Sequence, residues 1–296
     1  MTDLAPATVP NGRALRGILL IMTAVFLFAL ADVIGKHLFG LYSVALVMVV
    51  RNVVTLGMLG AIFGPTEGRA LWRTDRTGLV ILRAVSVAFG SLTFGLALTL
   101  MPLGETVSIV YLSPFAVMIL AGLFMGERVT MGAWIATLVG FAGILLIVRP
   151  GSGLAPWGVV YGLLNAGCAT AYALFSRLLA RTETTVAMLF YNAVTALAIF
   201  GGIIVFAGAG PMPDLEDFGF MLLLGALASV GHFLFTQAYR EAPASLLAPV
   251  NYMHMVWAGL LSWIVFHHLP DPISLGGMAL VLLAGVSVAL QSRRAP

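Results

Sequence analysis

The chain has 296 residues, of which 60% are hydrophobic and 9% charged, with a mean hydropathy of +1.05. Soluble domains carry about 25% charged residues, so a sizeable water-facing domain is excluded. The formal net charge of +3 comes from basic residues scattered between apolar runs, which excludes a nucleic-acid surface, and the single cysteine, Cys168, excludes a disulfide framework or a cysteine-rich metal site.

The first residues lack the charged start, short apolar core and small-residue cleavage site of a signal peptide, so the chain is expected to enter the membrane through its first span. Breaks at glycine, proline and charge then divide the chain into ten predicted spans, each near the roughly 20 residues a bilayer requires. They run over 17–38, 43–63, 78–100, 104–125, 131–148, 157–179, 185–207, 217–239, 244–266 and 273–291. Continuous apolar runs of this length predict helices; barrel strands would alternate.

Ionisable groups inside spans cost about 2.5–3.5 kcal/mol each on insertion scales, which makes them candidates for function. In span one, Asp32 and Lys36 lie four apart on one helical face, where they can pair as a gate or contact a substrate charge. Arg51 in span two and Arg83 in span three lie a turn or two inside the boundary, able to snorkel outward or to close the inner mouth of a path. Phe28, Phe89, Ser91, Tyr111 and Asn165 are candidates for a cavity wall in spans one, three, four and six. In the second half, His232, Asn251, Tyr252, His254 and Trp257 add polar and aromatic groups at mid-span depth. Pro114 in span four and Pro249 in span nine are hinge candidates, because proline removes a backbone hydrogen bond. Glu127–Arg128 reads as a cap and anchor, and His267–His268 as solvated loop residues. No HExxH pair, His/Cys cluster or GxxxxGK[ST] loop is present, so no metal, cofactor or ATP is expected.

The arginines then set direction. One set of span ends carries Arg13, Arg16, Arg69, Arg73, Arg76, Arg128, Arg177, Arg181, Arg240, Arg293 and Arg294, and the other only Lys36 and Arg149. That bias predicts both termini in the cytoplasm.

Read against itself at a spacing of 141, the chain repeats its punctuation. Gly17 falls on Gly158, Gly90 on Gly231, Phe94 on Phe235, Pro102 on Pro243 and Tyr111 on Tyr252; a slip to 140 pairs Met48 and Asn52 with Met188 and Asn192. The reading is of two five-helix repeats, 1–150 and 151–296. Five is odd, so the second must be inserted upside down. Inverted repeats are a signature of secondary transporters, whose substrate site lies between the copies near the midplane.

The stretch from Phe94 to Pro150 resembles the EamA-type branch of the drug/metabolite transporter superfamily. The resemblance is carried by Ala97 and Leu98, Pro102, Pro114, the Gly-Glu-Arg at 126–128, the Gly143 run closing on Pro150, and the placement of Arg51 and Arg83. In the second half His267 and His268 stand opposite Gly126 and Glu127. The resemblance implies an all-α integral membrane carrier of ten helices that exports small metabolites or amino acids, as the bacterial aromatic amino acid exporters do.

The expectation is therefore a multi-pass protein of a bacterial inner membrane. It would export amphipathic or aromatic amino acids by alternating access, with a small-molecule substrate and the lipid bilayer as its partners. Nothing in the pattern calls for more than one copy of the chain. An importer or exchanger of an anionic or nucleoside-like metabolite would instead use Lys36, Arg51 or Arg83 as its cationic group. A membrane-embedded transferase would need clustered acid, base or nucleophile groups at one boundary. The longer loop at 65–77 shows no such spacing.

Overall fold

A computed structural model describes residues 11–125, 131–149, 151–179, 182–242, 247 and 250–291. The described residues form helices and connections, with no strand among them. The helices are α1 (Asn11–Leu41), α2 (Val44–Glu67), α3 (Thr77–Leu100), α4 (Leu103–Val110), α5 (Ser113–Met125), α6 (Met131–Ile147), α7 (Pro156–Leu179), α8 (Thr185–Ala207), α9 (Leu215–Glu241), α10 (Met253–Phe266) and α11 (Pro272–Gln291). Among the described residues, seven stretches are long and apolar enough to cross a membrane, and three shorter apolar helices lie at Trp134–Ile147, Met253–Phe266 and Pro272–Ser287. This is a multi-pass membrane architecture.

Short polar groups start the helices. The Ser43 hydroxyl accepts from the Leu46 amide at 3.2 Å to begin α2, and the Thr184 hydroxyl accepts from Ala187 at 3.2 Å to begin α8. These two caps stand 141 residues apart in sequence. Each satisfies one of the amides that a helix start leaves without a partner.

The predicted fourth span is broken. α4 ends at Val110 and α5 begins at Ser113, with Tyr111 and Leu112 in a turn between them. Pro114 therefore sits in the first turn of α5, where a missing amide costs nothing. The chain turns ahead of the proline instead of kinking at it. Pro249, Glu127 and Arg128 lie outside the described residues.

Helices from the two halves of the chain pair side by side: α1 with α9, α3 with α7, α2 with α8, α4 with α10 and α6 with α11. A shift of 141 carries α1 onto α7 and α3 onto α9, so it turns the first pairing into the second. The details follow the same exchange. A Cβ placed on Gly17 would lie 2.6 Å from the Ala242 Cβ, and one placed on Gly158 would meet Met101. Met101 and Ala242 are themselves 141 apart. At these contacts only glycine lets the helices approach so closely.

The same relation recurs at the helix ends. The Tyr42 hydroxyl donates to Asp217 Oδ2 at 2.7 Å, tying the end of α1 to the start of α9. At the opposite end, the Glu183 carboxylate accepts from the amides of Asp75 and Arg76 at 2.8–3.2 Å, capping α3. Tyr42 and Glu183 are 141 apart, as are Arg76 and Asp217.

Candidate functional site

Between the paired helices lies a cavity of about 370 Å³, within the range of small-molecule sites. Each helix contributes one face, set by the 3.6-residue period. α1 presents Phe28, Asp32, Gly35 and Phe39; α2 presents Met48, Arg51, Asn52 and Thr55; α3 presents Gly90, Ser91, Phe94 and Leu98. α7 adds Asn165, Cys168 and Tyr172, and α8 adds Asn192. His232 comes from α9, Val107 from α4, Tyr111 from the turn after it, and His254 from α10.

The wall is mostly apolar, so each polar group in it needs a partner. Asn165 Nδ2 donates to the Gly90 carbonyl at 2.7 Å, across a contact that a Cβ on Gly90 would crowd against Cys168. Asn52 Nδ2 donates to the Met48 carbonyl at 2.7 Å, and Thr55 shares a 3.0 Å hydrogen bond with Ser229. The Tyr111 hydroxyl donates to the Asn251 carbonyl at 2.8 Å, and the Tyr111 and Tyr252 rings lie 5.0 Å apart. The turn that breaks span four is thus stapled to the start of α10.

Charges of both signs face the cavity. Asp32 Oδ2 is 3.1 Å from His254 Nε2, close enough for an ion pair but misaligned for a hydrogen bond. Arg51 makes a weak contact, donating to Met48 Sδ at 3.6 Å, and no Asp or Glu lies within salt-bridge distance of it among the described residues. An arginine with free donors beside an apolar cavity is a ready receptor for a carboxylate or phosphate.

The structure brings together Phe28, Asp32, Arg51, Ser91, Tyr111, Asn165, His232 and His254 of the residues singled out in the sequence. It places the others elsewhere. Phe89 points out of the bundle with 48% of its surface exposed. Asn251 contributes a backbone carbonyl, and Tyr252 is buried behind Tyr111. Trp257 packs edge-on against Phe26 at 5.1 Å, away from the cavity.

One expected pairing does not form. Asp32 and Lys36 share a helix face, but Asp32 turns to His254. Lys36 Nζ donates to the Leu98 and Met101 carbonyls at 2.9 and 2.8 Å, the open carbonyl end of α3, and lies 5.7 Å over the Phe266 ring. A helix C-terminus attracts a cation, so Lys36 fastens the bundle. Arg83 does not snorkel. It is 4% exposed and donates to Ser176 Oγ and Tyr172 Oη at 2.8 Å and to Asn192 Oδ1 at 3.1 Å. Nor is His268 free in solvent: its Nε2 lies 2.8 Å from the buried Glu105 carboxylate.

Sequence reasoning passed over Asn52, Thr55, Tyr172 and Asn192 as lining residues. The signal was present for two of them. Asn52 and Asn192 are matched polar residues in the internal repeat, and both face the cavity.

The profile of the EamA-like transporter family matches this chain twice, over residues 15–149 and 156–290. A riboflavin transporter of Brucella anthropi is 28% identical over 247 residues, 82% of this chain and 85% of that protein. The pseudopaline exporter CntI of Pseudomonas aeruginosa is 25% identical over 276 residues, covering 92% and 95% of the two chains. An S-adenosylmethionine uptake transporter of Rickettsia bellii is 24% identical over 228 residues, covering 77% and 78%. A solved crystal structure superimposes with a TM-score of 0.66 over 94% of this chain and 98% of the other, at 22% identity, a likeness of fold.

Proposed function

The chain belongs to the EamA-like transporter family, and from that premise we propose that it is a secondary carrier exporting small zwitterionic metabolites, foremost amino acids with an aromatic or amphipathic side chain. Its place is a bacterial inner membrane, with ten spans arranged as two inverted five-helix units and both termini in the cytoplasm. Family and relatives point to a transporter and away from an enzyme.

The observation that carries this reading is the pairing of opposite charges in one apolar cavity. Asp32 offers a carboxylate for an ammonium group, Arg51 offers donors for a carboxylate, and the Phe28, Phe94 and Tyr111 rings line the space between helices. Burying an isolated charge is costly, and burying it against a partner much less so. A zwitterion entering this cavity would leave its hydration shell for two matching groups. The helix pairings that exchange under the 141-residue shift support alternating access, because two similar halves can trade shapes at nearly equal energy.

The export direction follows the exporter among the relatives, while the positive ends of the spans bear on the orientation of the chain. A second reading has its own observation. Among the described residues no carboxylate lies within salt-bridge distance of Arg51, and relatives are named for uptake of S-adenosylmethionine and for riboflavin, which fits an importer or exchanger of an anionic or nucleoside-like metabolite.

The test is counterflow in liposomes holding the purified chain, against labelled phenylalanine, other amino acids, S-adenosylmethionine and riboflavin. Saturable exchange of amino acids supports the first reading, and exchange confined to riboflavin or an anion supports the second. No exchange with any of them ends the carrier reading.

A further inference from the structure

We infer that the substrates of this carrier include zwitterionic amphiphiles, held with the charged head in the cavity and an unbranched hydrocarbon tail passed between α3 and α7 into a groove on the outer side of α7. This names a substrate class for the site and rests on the zwitterion-carrier reading above.

The groove has a volume of about 470 Å³ and runs along α7. Val160, Leu164, Gly167 and Ala171 line it, spaced four, three and four apart, so they share one helical face. From Val160 to Ala171 that face extends about 16 Å at the rise of an α-helix, inside a stretch apolar enough to cross a membrane. Val160 is 41% and Leu164 52% exposed, which leaves this face to hydrocarbon. A Cβ placed on Gly167 would meet nothing within 4 Å, so the middle of the groove is open space.

The groove and the central cavity share a wall. Ser86 on α3 and Cys168 on α7 line both. Two polar ties between the same helices frame that wall: Asn165 Nδ2 donates to the Gly90 carbonyl at 2.7 Å on one side, and Arg83 Nη2 donates to the Tyr172 hydroxyl at 2.8 Å on the other. Arg83 and Gly90 are seven residues apart on α3, about 10 Å along its axis. Between the ties stand only small groups that ask for no partner. Ser86 Oγ donates back to the Leu82 carbonyl at 3.0 Å, and Cys168 is a free thiol that packs as a small hydrophobe. A methylene chain lying across them strands no hydrogen-bonding group.

The occupant follows from what the two spaces offer. The cavity presents Asp32 and Arg51 to an ammonium and a carboxylate, whereas the groove presents no charge among the described residues. A head fixed in the cavity tethers its tail at the shared wall. A bilayer lipid, with its headgroup at the interface, reaches the same place only by the end of a chain. The cavity holds a head and a short side chain within its 370 Å³, so affinity gained beyond that length reports the groove. Each methylene that leaves water there should tighten binding about fourfold.

The full chain in liposomes tests this, by counterflow of phenylalanine and of straight-chain 2-amino acids from 2-aminobutyric to 2-aminodecanoic acid. Beyond about six carbons, the half-saturating free aqueous concentration should fall about fourfold for each added methylene. Gly167→Leu fills the groove and should erase that gain, with 2-aminobutyric acid exchanged as in wild type. Cys168 gives a readout apart from transport. At saturation, 2-aminodecanoic acid should slow its alkylation by N-ethylmaleimide about tenfold or more beyond the effect of 2-aminobutyric acid. Phenylalanine exchange with no gain along the series overturns the proposal and leaves the carrier standing, as does a gain that Gly167→Leu keeps in full. Cys168 alkylation that neither amino acid changes gives the groove to a bilayer acyl chain and likewise overturns it. The wild-type series and the Cys168 rates decide the matter even where Gly167→Leu does not fold. Failure of every member to exchange, phenylalanine included, removes the zwitterion reading itself.

Discussion

Arg51 and Arg83 are the same residue type on neighbouring helices, yet their surroundings give them opposite assignments. Arg83 spends its donors on Ser176, Tyr172 and Asn192 and stacks 4.4 Å over the Tyr172 ring. Replacing it with alanine strands those acceptors in a buried place, at a cost of about 2–4 kcal/mol. Lysine cannot reproduce the planar fork and should recover only part of that loss. The expected outcome is a clear drop in the thermal unfolding midpoint in detergent for Arg83→Ala, a smaller one for Arg83→Lys, and almost none for Arg51→Ala. Arg51→Ala should instead lower counterflow of a carboxylate-bearing probe by tenfold or more. Equal unfolding losses at both positions would make Arg51 a structural residue and remove the anion anchor. The sequence placed both arginines inside spans, but it could not say which one had partners, because those partners come from the other half of the chain. The same limit explains Asp32. Its helical spacing to Lys36 was legible, whereas His254, 222 positions away, was found only by the fold. Phe89 was misread for a different reason: α3 is apolar nearly all round, so no pattern fixes which face turns to the cavity.

Pairs of helices carry two further expectations. In α6 and α11, a Cβ on Gly143 would lie 2.6 Å from the Gly277 carbonyl oxygen, and one on Gly277 would lie 2.5 Å from the Gly143 carbonyl oxygen. Backbone cannot step aside as a side chain can, so Gly143→Ala or Gly277→Ala should destabilise by about 1–3 kcal/mol. Gly276→Ala meets nothing within 4 Å and should be neutral. An equal effect at Gly276 and Gly277 in thermal unfolding would show that helix flexibility, and not this contact, decides. The second expectation concerns the ties at opposite ends of the bundle, Tyr42 to Asp217 and Glu183 to the start of α3, both made at once in this structure. The Asp217 carboxylate accepting its hydrogen bond pushes the Tyr42 hydroxyl above its usual range, so this tie stays protonated throughout the neutral range. Removing one tie should favour opening at its own end. Cys168, the single cysteine, lines the cavity and reports on this. Tyr42→Phe should speed its alkylation by an impermeant reagent about fivefold from one side of the membrane, and Glu183→Gln from the other. Acceleration from the same side in both variants would show that the ties do not guard separate ends. Element by element, the helices were legible because a run of apolar residues this long admits little else. The break at Tyr111 and Leu112 was not. Proline announced a disturbance in span four, but its place in the first turn of α5 depends on where the preceding helix ends.

At the scale of the whole molecule, one relation organises the rest. Residues 141 apart in sequence occupy exchanged places: Ser43 and Thr184 begin equivalent helices, Gly17 and Gly158 meet residues that are themselves matched, and the two end ties swap partners. The spacing was visible because glycine, proline, tyrosine and asparagine are rare enough here to stand out from the apolar background. Which helix of one half lies against which of the other was not visible, since that is set by packing between surfaces that look alike in sequence. If the exchange is a true inversion through the membrane, matched loops must open onto opposite faces. Arg73, before α3, and Met212, before α9, sit in such loops, and both are exposed. With Cys168 replaced by alanine the chain is free of cysteine, so single cysteines can be placed at either position. In intact cells an impermeant thiol reagent should modify Met212→Cys, whose loop is acidic, and leave Arg73→Cys untouched until the membrane is opened, because basic loops stay in the cytoplasm. Labelling of both from one face would place α3 and α9 parallel across the bilayer. α9 runs antiparallel to α1, as Tyr42 and Asp217 at one end and Arg16 and Glu241 at the other require. α3 runs alongside α1 in the same direction, since Lys36 grips its far end. A parallel α3 and α9 would contradict those contacts, so this one experiment bears on the bundle, the inversion and the shared cavity together.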